Sequence, residues 1–495
     1  MFWTVFAAAL VAMAAMGALT LLVVRPVGTR IMNHLMDYVL SRVVDLDYTK
    51  NPFGALNVMR HAGPQNFVET LMRAHRGKPV ERPMGSPRHL SPWGDLLFQP
   101  VYLAPRLPTP DSQKIDASVV VGKRADRPLK VDIPVMITAM SYGGALSVES
   151  KVALARGASL AGTATNSGEA YLPDERKAAK RLIVQYHRGQ WPNNPVSRPE
   201  ILKNADAIEI QLGQGAQAAA AMRSSPQSIN EDMRDVFGLE PGESAVMATR
   251  IPGVDKPGEF VKLVRDLKGR YPVPVGVKIG VSSYVEQDLA VFLEAGVDFV
   301  TLDGAEGGTH GGPTTLQDDV GLPTLFGLVR ADNYLRTQNA REAVTLIATG
   351  GLTTPGIFLK ALALGADAVD IGTMAIIALL SDQLTKPMPG APPTNLVMHS
   401  ASHQWNRALD IDIGAHHVAN YLNSVRDEMC YVVQSLGKTA VRHLDRSDLA
   451  ALSRELADFC QVAYVADGPH QESRRDQSDR WVQTRSGEQE EHRVH

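Results

Sequence analysis

Lys278 stands inside VPVGVKIG (273–280), an otherwise apolar stretch, where an ammonium is rarely buried unless a partner balances it. A flat ring that gathers negative charge would be such a partner; reaching out to solvent at a strand end is the alternative. Glu169, in TNSGEAYLPDE beside Asn166 and Ser167, can hold an amine or imine or pass a proton, or can be a solvated loop carboxylate. In DGAEGGTHGG (303–312), Asp303, Gly304, Glu306 and His310 share a loop with five glycines. Such a backbone can close over a ligand, with His310 as a candidate acid or base. Gly350 and Gly351 end TLIATGG, and Gly372 and Thr373 end AVDIGT. Amides bared by glycine at two successive chain turns, with one hydroxyl beside them, can cradle a phosphate.

These groups need a scaffold that brings distant residues to one face. From Ile133 onward the chain alternates short apolar runs with helical patterns, which predicts an α/β fold with a parallel sheet. Strands are expected at 133–140, 163–167, 181–187, 206–213, 273–280, 298–304, 344–350 and 367–373. Eight is the number that closes a (β/α)8 barrel, in which active residues stand at the C-terminal strand ends and phosphate is held after the last two strands. ESKVALARGASLAG, SYVEQDLAVFLEAG and PGIFLKALALGA read as intervening helices. Residues 214–255 form a long insertion expected to sit over the active face. The first strand ends in Thr138, Ala139, Met140, Ser141, Tyr142, Gly143 and Gly144, small enough in part to admit a ring close to the backbone, or simply a turn before a helix. Together these features predict a phosphorylated flavin, flavin mononucleotide (FMN), as the ligand. LGQGAQAA (212–219) fits a dinucleotide fingerprint, but it lies mid-barrel and is set aside. Asp410, Asp412, His416 and His417 read as a helix start rather than metal ligands.

The remaining chain frames this barrel. A net charge of −3 without a basic cluster speaks against a nucleic-acid partner. Cys430 and Cys460 are the two cysteines, too few for an iron–sulfur cluster held by this chain alone. Residues 1–24 carry no charge and are followed by Arg25 and Arg30. This predicts an uncleaved single-pass anchor in the cell membrane with the catalytic domain on the cytoplasmic side; a cleaved signal peptide is the competing reading. Residues 25–129 are expected to form an arm, 130–400 the barrel, 401–466 a helical extension and 467–495 a disordered polar tail. Within the arm, 31–44 has apolar residues at helical spacing and is expected to pack on the barrel rather than lie on a membrane.

The ordered series PVMITAMSYGGALS, TNSGEAYLPDE, ADAIEIQLGQGA, VPVGVKIG, DGAEGGTHGGP with GLPTLFGL, and IATGGLTTPGIFLKALALGADAVDIGT resembles the FMN-binding synthase domain of glutamate synthases over about residues 90–465. The resemblance implies a barrel that binds FMN and reduces 2-iminoglutarate formed from 2-oxoglutarate and ammonia. It implies a cofactor site at Met140, Ser141, Tyr142, Asn166, Ser167, Gln211, Lys278, Asp303, Gly304, Gly350, Gly351, Gly372 and Thr373. Glu169, Gln214, Gln217 and His310 would meet the substrate, an amino or oxo acid, with Lys278 and Glu169 catalytic. The chain also departs from the family. IIALLSDQLTKPMPGAPPTNLVMHS lacks the cysteines that hold a 3Fe–4S centre, and Gln211 and Gln217 replace the family's lysines. The apolar segment stands where a glutaminase domain would precede the barrel, so ammonia is expected from another subunit. Electrons would then pass directly to or from NAD(P)H, a quinone or a protein partner. A flavin dehydrogenase or isomerase for an unrelated substrate, and a non-catalytic FMN-binding subunit, are the alternatives.

Overall fold

The computed structural model describes residues 2–45, 60, 63–309, 311–399 and 404–467; His310 and the polar tail after Asp467 lie outside them. The chain forms two compact units, Met1–Val80 and Glu81–His495.

In the first unit one continuous helix runs through Phe2–Leu19, a π-helical turn at Thr20–Val24, and Arg25–Asp45. Thr20 and Thr29 donate to the carbonyls of Met16 and Arg25, four residues back, which satisfies their hydroxyls without water. Val11–Ser41 is long and apolar enough to cross a membrane. The stretch 31–44 thus continues the apolar helix, with Ile31, Met32, Leu35 and Met36 exposed. A second helix, Pro64–Arg76, begins on proline and stops at Gly77, whose left-handed backbone (φ 58°) suits glycine.

The second unit is built on eight parallel strands: β1 Val135–Ile137, β2 Thr165–Asn166, β3 Leu182–Tyr186, β4 Ala207–Gln211, β5 Val275–Gly280, β6 Phe299–Asp303, β7 Thr345–Thr349 and β8 Ala368–Ile371. They pair in chain order and close into a barrel, with Asp370 of β8 in register with Met136 of β1. Each expected segment contains one of them. Both faces of these strands are buried, which explains their near-continuous Val, Ile and Ala content.

A hairpin of Val119–Val121 and Leu129–Val131 closes the N-terminal end. Val121, Leu129 and Val131 pack with Met136, Ile183, Phe299 and Ile347 in a separate apolar plug. Gly276 belongs there for steric reasons, since a Cβ would fall 2.4 Å from the Phe299 ring. Outside the barrel, helix Val148–Ala161 lies along helix Ile411–Ser435. Gly157 permits their approach, because a Cβ there would meet Val418 at 2.7 Å.

At the other end the loops are longer. The insertion after β4 folds as an antiparallel ribbon, Met222–Ser224 with Ala245–Met247, around helix Glu231–Phe237. Phe237 stacks on Trp191 from the loop after β3, centroids 4.5 Å apart. Residues 81–98 cross the same end. Arg82 reaches Asp318 at 2.6 Å, Ser91 donates to Glu306, and Leu96–Phe98 pairs with Leu449–Ala451.

Candidate functional site

The loops at the C-terminal ends of the strands enclose one cavity of about 520 Å³, within the usual range for a small-molecule site. Residues 83–94 contribute its outer wall. Thr138, Met140 and Ser141 line it from β1, Glu169 from the loop after β2, and Gln214 and Gln217 from the loop after β4. Lys278, Asp303, Gly350, Gly351, Gly372 and Thr373 complete the wall from β5 to β8.

The glycine side is shaped for close approach. Gly350 has φ 99°, and a Cβ would lie 2.9 Å from the Gly304 amide; a Cβ on Gly351 (φ 70°) would lie 2.6 Å from Glu306. Glu306 is spoken for by protein donors: Thr324 gives it an amide at 2.9 Å and a hydroxyl at 3.1 Å, and Ser91 a second hydroxyl. Backbone therefore borders the cavity at Gly350, Gly351 and Gly372, beside the side chains of Thr349 and Asp370.

Lys278 projects into the barrel, 3.4 Å from an Asp303 oxygen and 3.3 Å from the Thr138 hydroxyl. Burial opposes its charge, but the carboxylates of Asp303, Glu209 and Asp370 outweigh that and hold its pKa above the ordinary value. Glu209, beneath the cavity, accepts from Asn166 at 2.9 Å, Gln185 at 3.0 Å and Thr301 at 2.8 Å. Asp370 lines the cavity, and burial together with Glu209 raises its pKa to about 7.

Glu169 is held on the far side. It accepts from the Ser141 hydroxyl at 2.7 Å and the Gln211 amide at 2.8 Å. Gln211 also contacts Gln214 at 3.4 Å, and Gln217 donates to Thr309 at 2.5 Å. A carboxylate fixed by two neutral donors keeps acceptor capacity for an amine or imine N–H.

Other expected site residues stand behind this surface. Gln211 is fully buried and donates to Glu169. Asn166 bridges Glu209 and the Gly168 amide, while Ser167 accepts from the Gln185 amide. Gly304 lies under Thr324, with its amide on the Thr349 carbonyl. Tyr142 is buried in a separate cluster with Leu172, Trp191, Met233 and Phe237. His310 falls outside the described residues.

Sequence reasoning passed over Glu209, Asp370 and Gln185. The signal was present for two of them. AIEIQ (207–211) and AVDI (368–371) each carry one carboxylate inside an apolar strand, the same anomaly that singles out Lys278. The wall at 83–94 had no comparable signal, since a proline-rich stretch does not reveal what it covers.

A flavin nucleotide fits this arrangement. The cavity joins a glycine wall free of side chains to a lysine ammonium, and the buried Oδ1 of Asp370 has no donor.

The conserved region in glutamate synthase matches residues 105–439. Over 402 residues the chain is 32% identical to the glutamate synthase large subunit-like protein of Rhizobium meliloti (strain 1021), covering 77% of this chain and 89% of that one. It is 31% identical over 319 residues to the archaeal-type glutamate synthase (NADPH) of Thermotoga neapolitana, 64% of this chain and 62% of that protein. Among solved structures, a lactate oxidase of Pediococcus acidilactici matches with a TM-score of 0.47 at 18% identity, over 72% of this chain and 83% of that one.

Proposed function

Because this chain belongs to the glutamate synthase family, we propose that it is an FMN-dependent oxidoreductase acting on an amino or imino acid such as 2-iminoglutarate. Bound FMN would supply hydride exchange at its ring nitrogen. Gly350, Gly351, Gly372 and Thr373 would hold the phosphate, while Asp303, paired with Lys278, and Gly304 would border the cofactor elsewhere. Met140 and Ser141 would face the ring, and Tyr142, Asn166 and Ser167 would support that wall from behind. Lys278 would sit at the pyrimidine edge and stabilise negative charge there. Glu169, steadied by Ser141 and Gln211, would orient the substrate nitrogen or hold a proton, with Gln214, Gln217 and His310 at the substrate's other end. The observation that carries this reading is the opening of the glycine wall, Lys278 and Glu169 into one cavity.

Gln217 on the cavity wall, with Gln211 behind Glu169, favours a second reading, a flavin dehydrogenase or isomerase for another small substrate. Neutral amides bind a dicarboxylate less tightly than lysines would. A non-catalytic FMN-binding subunit is the third. With Cys430 and Cys460 as the available thiols, electrons would pass without an iron–sulfur cluster on this chain. NAD(P)H, a quinone or a protein would take or give them. Residues 1–24 would anchor the chain in the membrane, with the barrel of 130–400, the helices of 401–466 and the tail of 467–495 on the cytoplasmic side.

The test is the visible spectrum of the purified protein and the mass of the released chromophore. FMN is expected, and anaerobic turnover of 2-oxoglutarate with ammonia would select the first reading. Colourless protein that takes up no FMN would end all three.

A further inference from the structure

The barrel interior at the cavity floor holds more acid than base. Lys278 of β5 faces Glu209 of β4, Asp303 of β6 and Asp370 of β8, and the charged groups acting on Asp370 are Glu209, Lys278 and Asp303. Its sheet neighbours β1 and β7 place Met136 and Thr349 in register with it, neither of them titratable.

The three carboxyls differ in their donors. Glu209 accepts three hydrogen bonds, from Asn166, Gln185 and Thr301. Asp303 pairs with the Lys278 ammonium at 3.4 Å. Asp370 is 2% exposed and lines the cavity, and its Oδ1 has no partner. One ammonium cannot neutralise three buried carboxylates, and an uncompensated buried charge costs several kcal/mol. Asp370, the acid that no donor stabilises, is therefore the one poised to take up a proton when further negative charge arrives. Asp370 is also two residues before Gly372, which follows the strand, and both line the cavity.

We propose that Asp370 stores a proton for the cofactor site, binding it when negative charge gathers beside Lys278 and releasing it when that charge leaves. The inference rests on the flavin reading above. Bound flavin would accept an electron pair with its hydrogen from a substrate C–H bond, the substrate being oxidised, and would thereby add one negative charge that Lys278 would face. A solvent proton then forms an O–H bond on the Asp370 carboxylate. When an acceptor takes the electron pair together with its hydrogen, as hydride, the O–H bond on Asp370 breaks and its proton returns to solvent. Asp370 forms no bond to substrate.

Infrared difference spectra of the FMN-loaded full chain, dithionite-reduced minus oxidised, test this directly. Wild-type protein should gain a protonated-carboxyl carbonyl band that shifts in D2O. Asp370→Asn should lose the band, and Asp370→Glu should keep it at a shifted frequency. The midpoint potential of bound FMN should fall less steeply with pH above neutrality in Asp370→Asn than in wild type. A wild-type spectrum without the band, or an unchanged potential slope in Asp370→Asn, overturns the inference while leaving the flavin reading intact. Should Asp370→Asn fail to fold or hold FMN, the wild-type band and its shift in Asp370→Glu decide. Wild-type protein that binds no FMN overturns both.

Discussion

Two clusters of buried charge are built in opposite ways. Around Asp332, one carboxylate with no exposure receives three guanidinium groups: Arg336 at 2.7 Å, Arg341 at 2.8 Å and Arg446 at 2.7 Å. The last of these ties the C-terminal segment to helix Thr324–Thr337. Around Lys278 the ratio reverses, with one ammonium among three carboxyls. The first cluster meets its acid with protein donors and does not line the cavity. The second leaves an acceptor orphaned at the edge of the cavity. A protein can hold such an imbalance only by shifting protonation states, which is where ligands and electrons can act.

Removing Asp332 should produce the largest effect. Asp332→Ala leaves Arg446 buried without its acid and Arg341 with Asp367 alone, at a cost on the order of 3–5 kcal/mol. Denaturant unfolding measures it, and a loss below ~1 kcal/mol would mean that solvent already screens the cluster. Lys278→Met should cost the fold less, because the carboxyls it leaves without a cation, Asp303 and Asp370, border the cavity and can relieve their charge by taking up protons. We expect FMN to remain bound and its reduction to slow roughly 10²-fold in rapid-mixing experiments; unchanged reduction would remove Lys278 from its assigned role.

A subtler contrast concerns pH. Asp370 has its folded value raised, so between its ordinary 3.8 and about 7 the native state holds a proton the unfolded chain has lost. Its stabilising contribution is therefore complete at low pH and declines as pH rises through that window. Asp370→Asn should flatten the decline by up to ~1.4 kcal/mol per pH unit. Glu175, raised to about 7 by burial despite its pairing with Lys151 at 2.8 Å, keeps the same slope in both proteins. His187, lowered to about 4 by burial, opposes it as pH rises from there to 6.5. The measurement is thus the difference between the two stability–pH curves, and coincident curves would show that Asp370 titrates as an ordinary acid. The smallest change is expected for Arg336→Ala. That arginine is 60% exposed and shares Asp332 with two better-buried partners, so thermal unfolding should register about 0.5 kcal/mol or less.

Much of this was readable along the chain. Every barrel strand falls inside a segment marked by apolar residues ending at polar or glycine positions, because strands covered on both faces leave no room for other patterns. Lys278 was legible because charge in such a strand is anomalous. Glu209 and Asp370 carried the same mark, but a single carboxylate near a strand end also reads as solvent-facing. Gln211 looked like a cavity residue and lies behind Glu169, since strand alternation tells which residues share a face but not how deep each one sits.

What the sequence determined alone was the barrel, its closing glycines and the apolar N-terminal helix. Period, composition and glycine placement are local properties that one stretch of chain expresses by itself. Only tertiary structure decided that residues 83–94 wall the cavity, that Val119–Val131 plugs the opposite end, and that one ammonium answers to three acids. Those outcomes depend on which distant side chains meet in a shared low-dielectric interior, where the balance of charge belongs to the assembled group and to no single residue.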